Sequence, residues 1–247
     1  MKTKSLFNFI GIIILLLSLL NSCKQDNDDT TPQDNTMPNS GLIAYYPLNG
    51  NAKDLSGMEN NGVIIGGVSS TSDRHGNDGK AMLFNGTDGY IEVPNSESLE
   101  SPTDALSITG WVWIEGFNSL EAVGIVNKTK TSEYGQYGLS YQAWDSQKRI
   151  TFYLNHGSVG SWDEFTFNLQ QWYFIVAVYN GTNISIYVDG VHIGETPHTG
   201  SIISDSNPIT MGLDSPGAKE YLHGKLDDIR IYKTALTASE IIKLFNE

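Results

Sequence analysis

The chain is poor in cysteine and in charge, and each shortage excludes a class of protein. A single Cys among 247 residues excludes an internal disulfide and any Cys-rich zinc or iron–sulfur site. Only 15 Lys plus Arg face 28 Asp plus Glu, and the net charge of −13 argues against nucleic acid, which needs a basic surface. Charged residues make up 17% of the chain, below the usual ~25%. With 25 Gly, this composition favours a loop-rich β protein over a helix bundle.

The single cysteine, Cys23, lies directly after an apolar N-terminal segment. Two lysines precede a run from Leu6 to Leu20 that is apolar apart from three residues. This run is shorter than the ~20 residues of a membrane-spanning helix and has the size of a signal-peptide core. The letters LNSC that end at Cys23 resemble the lipobox of bacterial lipoproteins, in which the Cys is acylated. We therefore predict a lipoprotein signal peptide over residues 1–22 and lipidation of Cys23, with a plain secretory peptide as the alternative.

Residues 23–40 are polar and acidic, and they show no apolar periodicity. Such a segment cannot bury enough apolar surface to fold, so we expect a disordered tether that carries the lipidated Cys23. The acidic residues that follow the Cys resemble the export signal of some Gram-negative surface lipoproteins. The predicted location is therefore the outer membrane, lipid-anchored and exposed at the cell surface. A solvated linker is the plainer interpretation of the same residues.

Short β-rich runs separated by turn residues continue from residue 41 to residue 247. The clearest stretch, Trp172 to Gly194, contains one Asn-Gly and one Asp-Gly turn, which tolerate positive φ and favour tight hairpins. It predicts a three-stranded antiparallel meander whose middle strand turns Ile184, Ile186 and Val188 to the core. One short helix is predicted near the C-terminus, where the letters TASE form a capping box. Many short strands and one terminal helix indicate an all-β sandwich.

Four segments of the chain resemble one family of β domains. They are GLIAYYPLNGNAKDLSG, GKAMLFNGTDGYIEV, WYFIVAVYNGTNISIYVDG and GKLDDIRIYKTALTASEI. Together they are similar to the laminin-G-like jelly-roll domains of the concanavalin A-like lectin/glucanase superfamily, in their bacterial extracellular form, over residues 41–247. The resemblance implies a two-sheet antiparallel jelly-roll sandwich with a short C-terminal helix. It leaves the function open, because this superfamily includes lectins, carbohydrate-binding modules, adhesion modules and glycoside hydrolases.

No catalytic motif of that superfamily is present in the sequence. Its retaining glucanases resemble one another in a Glu-x-Asp-x-x-Glu strand that places two carboxylates on one face. In this chain no Glu is followed by Asp two positions later, and the five His show no metal-ligand spacing. We therefore predict that the chain is not an enzyme, with a glycoside hydrolase as the third-ranked hypothesis.

Polar and aromatic residues on two predicted strands form a candidate carbohydrate site. Alternation turns Ile150, Phe152 and Leu154 to the core, so that their neighbours point outward, where aromatic planes and amides could bind a sugar. An adjacent strand turns Tyr141 inward and its neighbours outward. The predicted binding residues are Gln142, Trp144, Arg149, Tyr153 and Asn155, with Trp162 in a following loop. Ordinary cross-strand packing is the alternative for each of them.

The family resemblance also implies a structural calcium. Its candidate ligands are Asp54, in an early loop, and Asp227, in a late strand. Asp228 would face the opposite side of a regular strand, so only one of the two neighbours would serve a given site. The alternatives are that Asp54 caps a turn and that Asp227 bonds a nearby loop.

Trp111 and Trp113 share one face of a predicted strand whose other face, with Ile108, Val112 and Ile114, is equally apolar. Either face could belong to the core, and we take Trp111 as structural.

The leading functional hypothesis is a non-catalytic, lipid-anchored surface protein that binds carbohydrate through its jelly-roll domain. The acidity of the chain favours a neutral glycan. The second hypothesis is an interaction or adhesion module that docks onto an envelope protein. Membrane contact is expected through the lipid anchor only.

Overall fold

Strands dominate the chain from Leu42 onward, in agreement with the predicted all-β class. The computed structural model describes residues 36–117, 122–129, 135–142, 149–155, 158–162, 165–214 and 220–247. These residues all belong to one unit, Thr36–Glu247. Cys23 and the predicted signal peptide lie outside the described residues. Within the described part of the chain, no helix is long and apolar enough to span a membrane.

The described residues form fifteen strands and two helices. In chain order these are β1 (Leu42–Tyr46), β2 (Val63–Ile65), β3 (Val68–Thr71), β4 (Ala81–Asn85), β5 (Tyr90–Val93), α1 (Glu97–Glu100), β6 (Leu106–Gly116), β7 (Ala122–Lys128), β8 (Tyr137–Gln142), β9 (Arg149–Leu154), β10 (Ser158–Trp162), β11 (Trp172–Tyr179), β12 (Asn183–Val188), β13 (Val191–Pro197), β14 (Ile209–Met211), β15 (His223–Tyr232) and α2 (Ala238–Phe245).

The strands form two antiparallel sheets. The first sheet has the order β13-β12-β11-β6-β15-β4-β3, and β1 pairs with β15 beside this path. The second sheet has the order β10-β9-β8-β7-β14-β5-β2. The pairs β11–β12 and β12–β13 form the predicted meander, which is therefore confirmed. This two-sheet arrangement is the expected jelly-roll sandwich with a short C-terminal helix.

The main hydrophobic core contains residues from both sheets, because alternate side chains of each strand point to the same face. Its members include Ile186 of β12, Val112 of β6 and Phe152 of β9, all of which are buried. The predicted inward faces of β8, β9 and β12 are therefore confirmed.

A second apolar cluster joins the first sheet to α2 on the face opposite the main core. Trp111 packs there against Phe174 and against Phe245 of the helix, with ring centroids 5.3 and 5.7 Å apart. Both faces of β6 are therefore buried, since Ile108 and Val112 belong to the main core and Trp111 to this cluster. The helix begins after Thr237, whose side chain accepts from the Glu240 N–H while the Glu240 carboxylate accepts from the Thr237 N–H.

A buried lysine attaches the segment before β14 to the second sheet. Lys128, at the end of β7, is fully buried, and its Nζ donates to Asn95 Oδ1 (2.8 Å), to Asp205 O and Oδ1 (2.7 and 2.9 Å), and to Asn207 O (2.7 Å). Burial lowers the pKa of the Lys128 ammonium, while the Asp205 carboxylate opposes that shift. Four oxygen acceptors thus replace the water molecules that would solvate this ammonium in solution.

The chain enters the domain beside β15 of the first sheet. The Tyr232 hydroxyl donates to the Pro38 carbonyl (3.1 Å), and the Thr234 hydroxyl donates to the Ser40 carbonyl (3.1 Å). These two bonds fix the backbone just before β1, which itself pairs with β15.

Candidate functional site

The outward face of the second sheet, on the side away from the main core, carries part of the predicted carbohydrate site. Strands β8 and β9 are neighbours, and Gln142 lies directly opposite Arg149. One pair further along the same face, Ser140 lies opposite Thr151. Gln142 is 7% exposed and Arg149 is half-buried. The structure therefore brings Gln142 and Arg149 together.

Tyr153 lies on the same outward face but packs closely against the sheet. A Cβ added to Gly138, its partner on β8, would lie 2.2 Å from Tyr153 Cζ and 2.3 Å from Asn127 Oδ1. The ring thus lies across Gly138, beside the amide of Asn127, and Tyr153 is 3% exposed. This is the cross-strand packing that was the alternative for this residue, and it requires a glycine at position 138.

The predicted residues do not all converge. Asn155 is six residues from Arg149, or roughly 20 Å along an extended strand. It has a φ of 52°, and its side chain bonds the Ser201 carbonyl (2.9 Å) and the Ile203 N–H (2.6 Å). The expectation that Asn155 joins the Arg149 end of the face is therefore wrong, because its amide attaches a loop instead.

The two tryptophans of the predicted site have different outcomes. Trp144 lies outside the described residues. Trp162 is the last residue of β10, in register with Ile150 of β9, so its expected place in a loop is wrong.

A polar network that the sequence did not reveal covers the centre of this outward face. Asp214, after β14, accepts a hydrogen bond from the Ser140 hydroxyl, and its carbonyl accepts one from Asn127 Nδ2 (2.9 Å). Asn127 Oδ1 in turn accepts from Ser140 (3.2 Å). A Cβ on Gly124 would lie 2.3 Å from the Asp214 N, so this glycine lets the segment lie directly on β7.

Glu220 completes this network with a second carboxyl group. Leu213 and Tyr221 form an isolated antiparallel bridge, which places Glu220 next to Asp214. Both side chains are partly exposed. Burial, together with the hydrogen bond and charge of Asp214, raises the pKa of Glu220 to about 7. Near neutral pH the pair therefore presents both a proton donor and carboxylate acceptors. We call Asn127, Ser140, Asp214 and Glu220 the carboxyl–amide network.

The first sheet carries a different polar cluster around Asp227 and Asp228. A β-bulge interrupts the pairing of β15 with β6 between residues 227 and 230, and Asp228 has a φ of 49°. Arg74 Nη1 consequently reaches both carboxylates, at 2.9 Å from Asp227 and 2.8 Å from Asp228. The expectation that the two Asp side chains serve opposite sides is therefore wrong, because the bulge breaks the alternation on which it rests.

The candidate calcium ligands already have protein partners. Both Asp54 oxygens accept hydrogen bonds, from Tyr45 N (2.9 Å), Ser56 N and Oγ (2.8 Å each) and Asn60 N (2.9 Å). Asp227 has the Arg74 guanidinium as its counter-charge, and burial plus the Asp228 charge still raises its pKa to about 7. Among the described residues, no three His, Cys, Asp or Glu side chains could hold a metal ion together. As they lie, Asp54 and Asp227 do not fit a calcium site, and Asp54 caps a turn.

The two-sheet jelly roll with a polar outward face is the architecture of lectin-like β domains. Residues 85–242 match the family described as the concanavalin A-like lectin/glucanases superfamily. The chain belongs to this superfamily. It is also similar to the adhesion G-protein coupled receptor V1 of Danio rerio, with 28% identity over 179 residues, which are 68% of this chain and 3% of the receptor. The chain thus spans a small part of that relative.

Solved structures share the fold at low identity. Domain 4 of AbnA, a GH43 extracellular arabinanase from Geobacillus stearothermophilus in complex with arabinotriose, has a TM-score of 0.65 and 20% identity over 83% of this chain and 98% of that one. The binding domain of Paraclostridial Mosquitocidal Protein 1 has a TM-score of 0.66 and 19% identity, with 83% and 52% coverage. A structure of botulinum neurotoxin type C, a toxin whose cell entry depends on interaction with two ganglioside molecules, has a TM-score of 0.62 and 19% identity. The match covers 84% of this chain and 51% of that one.

Proposed function

We propose that this chain is a non-catalytic carbohydrate-binding protein and that its ligand contacts the outward face of the second sheet. The carboxyl–amide network carries the proposal, because the buried Asn127 and Ser140 hold the partly exposed Asp214 in a fixed position beside Glu220 on this sheet face. Gln142 and Arg149 extend the same face by one further pair of residues. Sugar sites combine a few fixed polar groups of this kind with aromatic side chains, and Trp144 and Trp162 remain the predicted aromatic contributors.

The comparisons support a carbohydrate ligand in general terms. The chain belongs to a superfamily named for lectins and glucanases, and structures with the same fold include a domain bound to arabinotriose. The network itself favours a neutral glycan over an anionic one. Two adjacent carboxyl groups repel an approaching anion, and Arg149 is the one described cation among the predicted site residues.

The absence of hydrolysis in this proposal rests on the spacing of the carboxyl pair. Retaining glycosidases hold their two carboxyl groups ~5–5.5 Å apart and inverting enzymes ~6.5–9.5 Å apart, with the scissile bond between them. Asp214 and Glu220 are close enough for a side-chain hydrogen bond, which is closer than either catalytic spacing and supports a non-catalytic role for this pair. Incubation of the purified chain with glucans and arabinans should release no reducing sugar, and release would revive the hydrolase hypothesis.

The proposed cellular setting is a lipid anchor at Cys23 in the outer membrane, with the domain at the cell surface. The lipobox resemblance of the letters before Cys23 supports it. Cells grown with an alkyne-tagged palmitate should label the chain, and Cys23→Ala should abolish the label. A secreted, unlabelled chain would support the plain secretory peptide instead.

Glycan binding is tested with the full chain in detergent on an array of neutral and anionic polysaccharides. We expect binding to at least one neutral glycan, weakened ~10-fold by Glu220→Gln, which equals ~1.4 kcal/mol. Glu97→Gln is the matched control, since Glu97 is exposed on α1, and it should leave affinity unchanged. Trp144→Ala tests the predicted aromatic contact. Unchanged binding in both site variants would reject the site. If the chain binds no glycan but co-purifies with a protein partner, the interaction module would be favoured.

A further inference from the structure

The bulge on β15 borders a pocket on the first sheet that the proposed glycan face does not use. It has a volume of about 200 Å³ and lies where β1, the β3–β4 loop and the bulge meet. Arg74 forms part of its wall, with the guanidinium carbon 4.7 Å from the centre of the Trp111 ring. Trp111 belongs to the cluster under α2, so the pocket opens on the outer side of the first sheet. The proposed glycan face lies on the other sheet.

Arg74 supplies a fixed polar group with one unused donor. Its side chain is 9% exposed and is held by the two Asp carboxylates and by a main-chain oxygen of Glu247 (3.1 Å). Its Nε–H is buried and has no hydrogen-bond partner among the described residues. A buried donor without an acceptor costs free energy, so the guanidinium would gain from an oxygen acceptor that came within reach of this Nε–H.

The bulge beneath the pocket is strained in a way that is common next to binding sites. A φ of 49° lies in the left-handed region, which a non-glycine residue such as Asp228 adopts at an energetic cost. Bulges re-aim side chains near functional sites. In this chain the bulge turns Asp227 and Asp228 together toward Arg74 and orients the guanidinium.

The groups that remain free at the pocket mouth indicate the ligand chemistry. Asp73 is already occupied, because its oxygens accept from the His75 and Asn77 backbone N–H groups and from the Asn77 amide. The exposed side chains of Asn49, His75 and Lys80 make no hydrogen bond within the described chain. They offer mainly donors, which suits hydroxyl and ether oxygens. Three Asp side chains in the wall disfavour an anionic ligand.

We propose that this pocket binds one neutral sugar unit or a polyol of that size, as a second site independent of the outward face. Its volume of about 200 Å³ suits a single ring, and because the pocket is open to solvent, only the terminal unit of a longer chain would need to enter it. The inference rests on the proposed function only for the class of ligand. It would make the domain bivalent, with an extended face on one sheet and a pocket for a terminal unit on the other.

The test uses the full chain in detergent, titrated with glucose, galactose, mannose, arabinose, xylose and glycerol. Saturation-transfer NMR detects contact, and calorimetry gives the affinity. We expect saturable binding of at least one of these compounds, weakened at least 5-fold by Lys80→Ala or Asn49→Ala. Both side chains are exposed, so folding should persist, which circular dichroism checks. Lys233→Ala, which removes an exposed lysine at the end of β15, is the matched control and should bind as wild type.

Two further arms separate this proposal from the proposed function. Glu220→Gln should weaken polysaccharide binding and leave the small-sugar titration unchanged. If no small sugar or glycerol binds while polysaccharide binding persists, the pocket proposal is overturned and the proposed function stands. Small-sugar binding that is lost in Glu220→Gln and unaffected by Lys80→Ala would also overturn it, since the ligand would then occupy the outward face.

Discussion

Replacement of Lys128 by Met should destabilise the domain more than any surface change. Lys128→Met keeps the length and apolar stem of the side chain and removes the ammonium. The Asp205 carboxylate and the carbonyls of residues 205 and 207 then lose their shared donor. Asp205 is mostly buried, so water replaces this donor poorly. The segment before β14 would lose its main attachment to β7.

The size of the effect follows from the burial of this ion pair. Removing one partner of a buried pair costs about 3–5 kcal/mol, because the other charge remains unpaired. For a domain of this size, each kcal/mol shifts the melting temperature by about 2–4 °C, so we expect a fall of roughly 6–20 °C. Much of that cost is due to the orphaned carboxylate. A second substitution, Asp205→Asn, in the same chain should therefore restore at least ~1 kcal/mol.

Urea and thermal unfolding, followed by circular dichroism, measure these differences. Lys233→Met is the control, since Lys233 is exposed, and it should stay within about 0.5 kcal/mol of wild type. The reasoning fails if Lys128→Met is as stable as the control. It also fails if the Asp205→Asn substitution makes the Lys128→Met chain less stable still.

Three further predictions concern the glycine under Tyr153, the buried acid and the helix cap. Gly138→Ala should lower the melting temperature and shift the Tyr153 ring signals in NMR spectra, because the added methyl group overlaps that ring. The pKa of Asp227 is raised to about 7, above that of an unfolded Asp. Its contribution to stability is therefore complete below about pH 4 and lost as pH rises through 7, and Asp227→Asn should remove that loss from unfolding free energies measured between pH 5 and 8. Thr237→Ala should cost ~1 kcal/mol in urea unfolding, whereas Ser239→Ala beside it should cost less.

The sequence predicted the faces of regular strands well because side chains alternate strictly along them. The core positions of β12 and β9 required only this period of two. Alternation failed at Asp228, where a bulge shifts the register, and at Asn155, where the chain has already left the strand with a positive φ. Neither break has a sequence signal as strong as an Asn-Gly turn, since both residues are ordinary in loops.

The carboxyl–amide network was missed for a different reason. Asp214 and Glu220 are brought together by a bridge between residues 213 and 221, and Asn127 and Ser140 reach them from two other strands. Contacts between residues so far apart in the chain depend on strand order, which the sequence pattern does not specify. One residue in the sequence did signal this contact. Gly124 lies in a strand interior, where a glycine often marks a close approach of another backbone segment.

If the proposed lipid anchor is present, the point at which the chain enters the domain would influence which sheet faces away from the membrane. Pro38 and Ser40 are held beside β15 of the first sheet, whereas the proposed glycan face lies on the outer side of the second sheet. A lipid at Cys23 would leave about 13 residues of tether, with a root-mean-square span of roughly 20 Å and a stretched limit near 45 Å. With the proposed anchor and a tether of this length, the second sheet would be able to face away from the membrane, and neighbouring copies would be able to bind one polysaccharide chain together. Weak single contacts would then add up to durable capture at the surface.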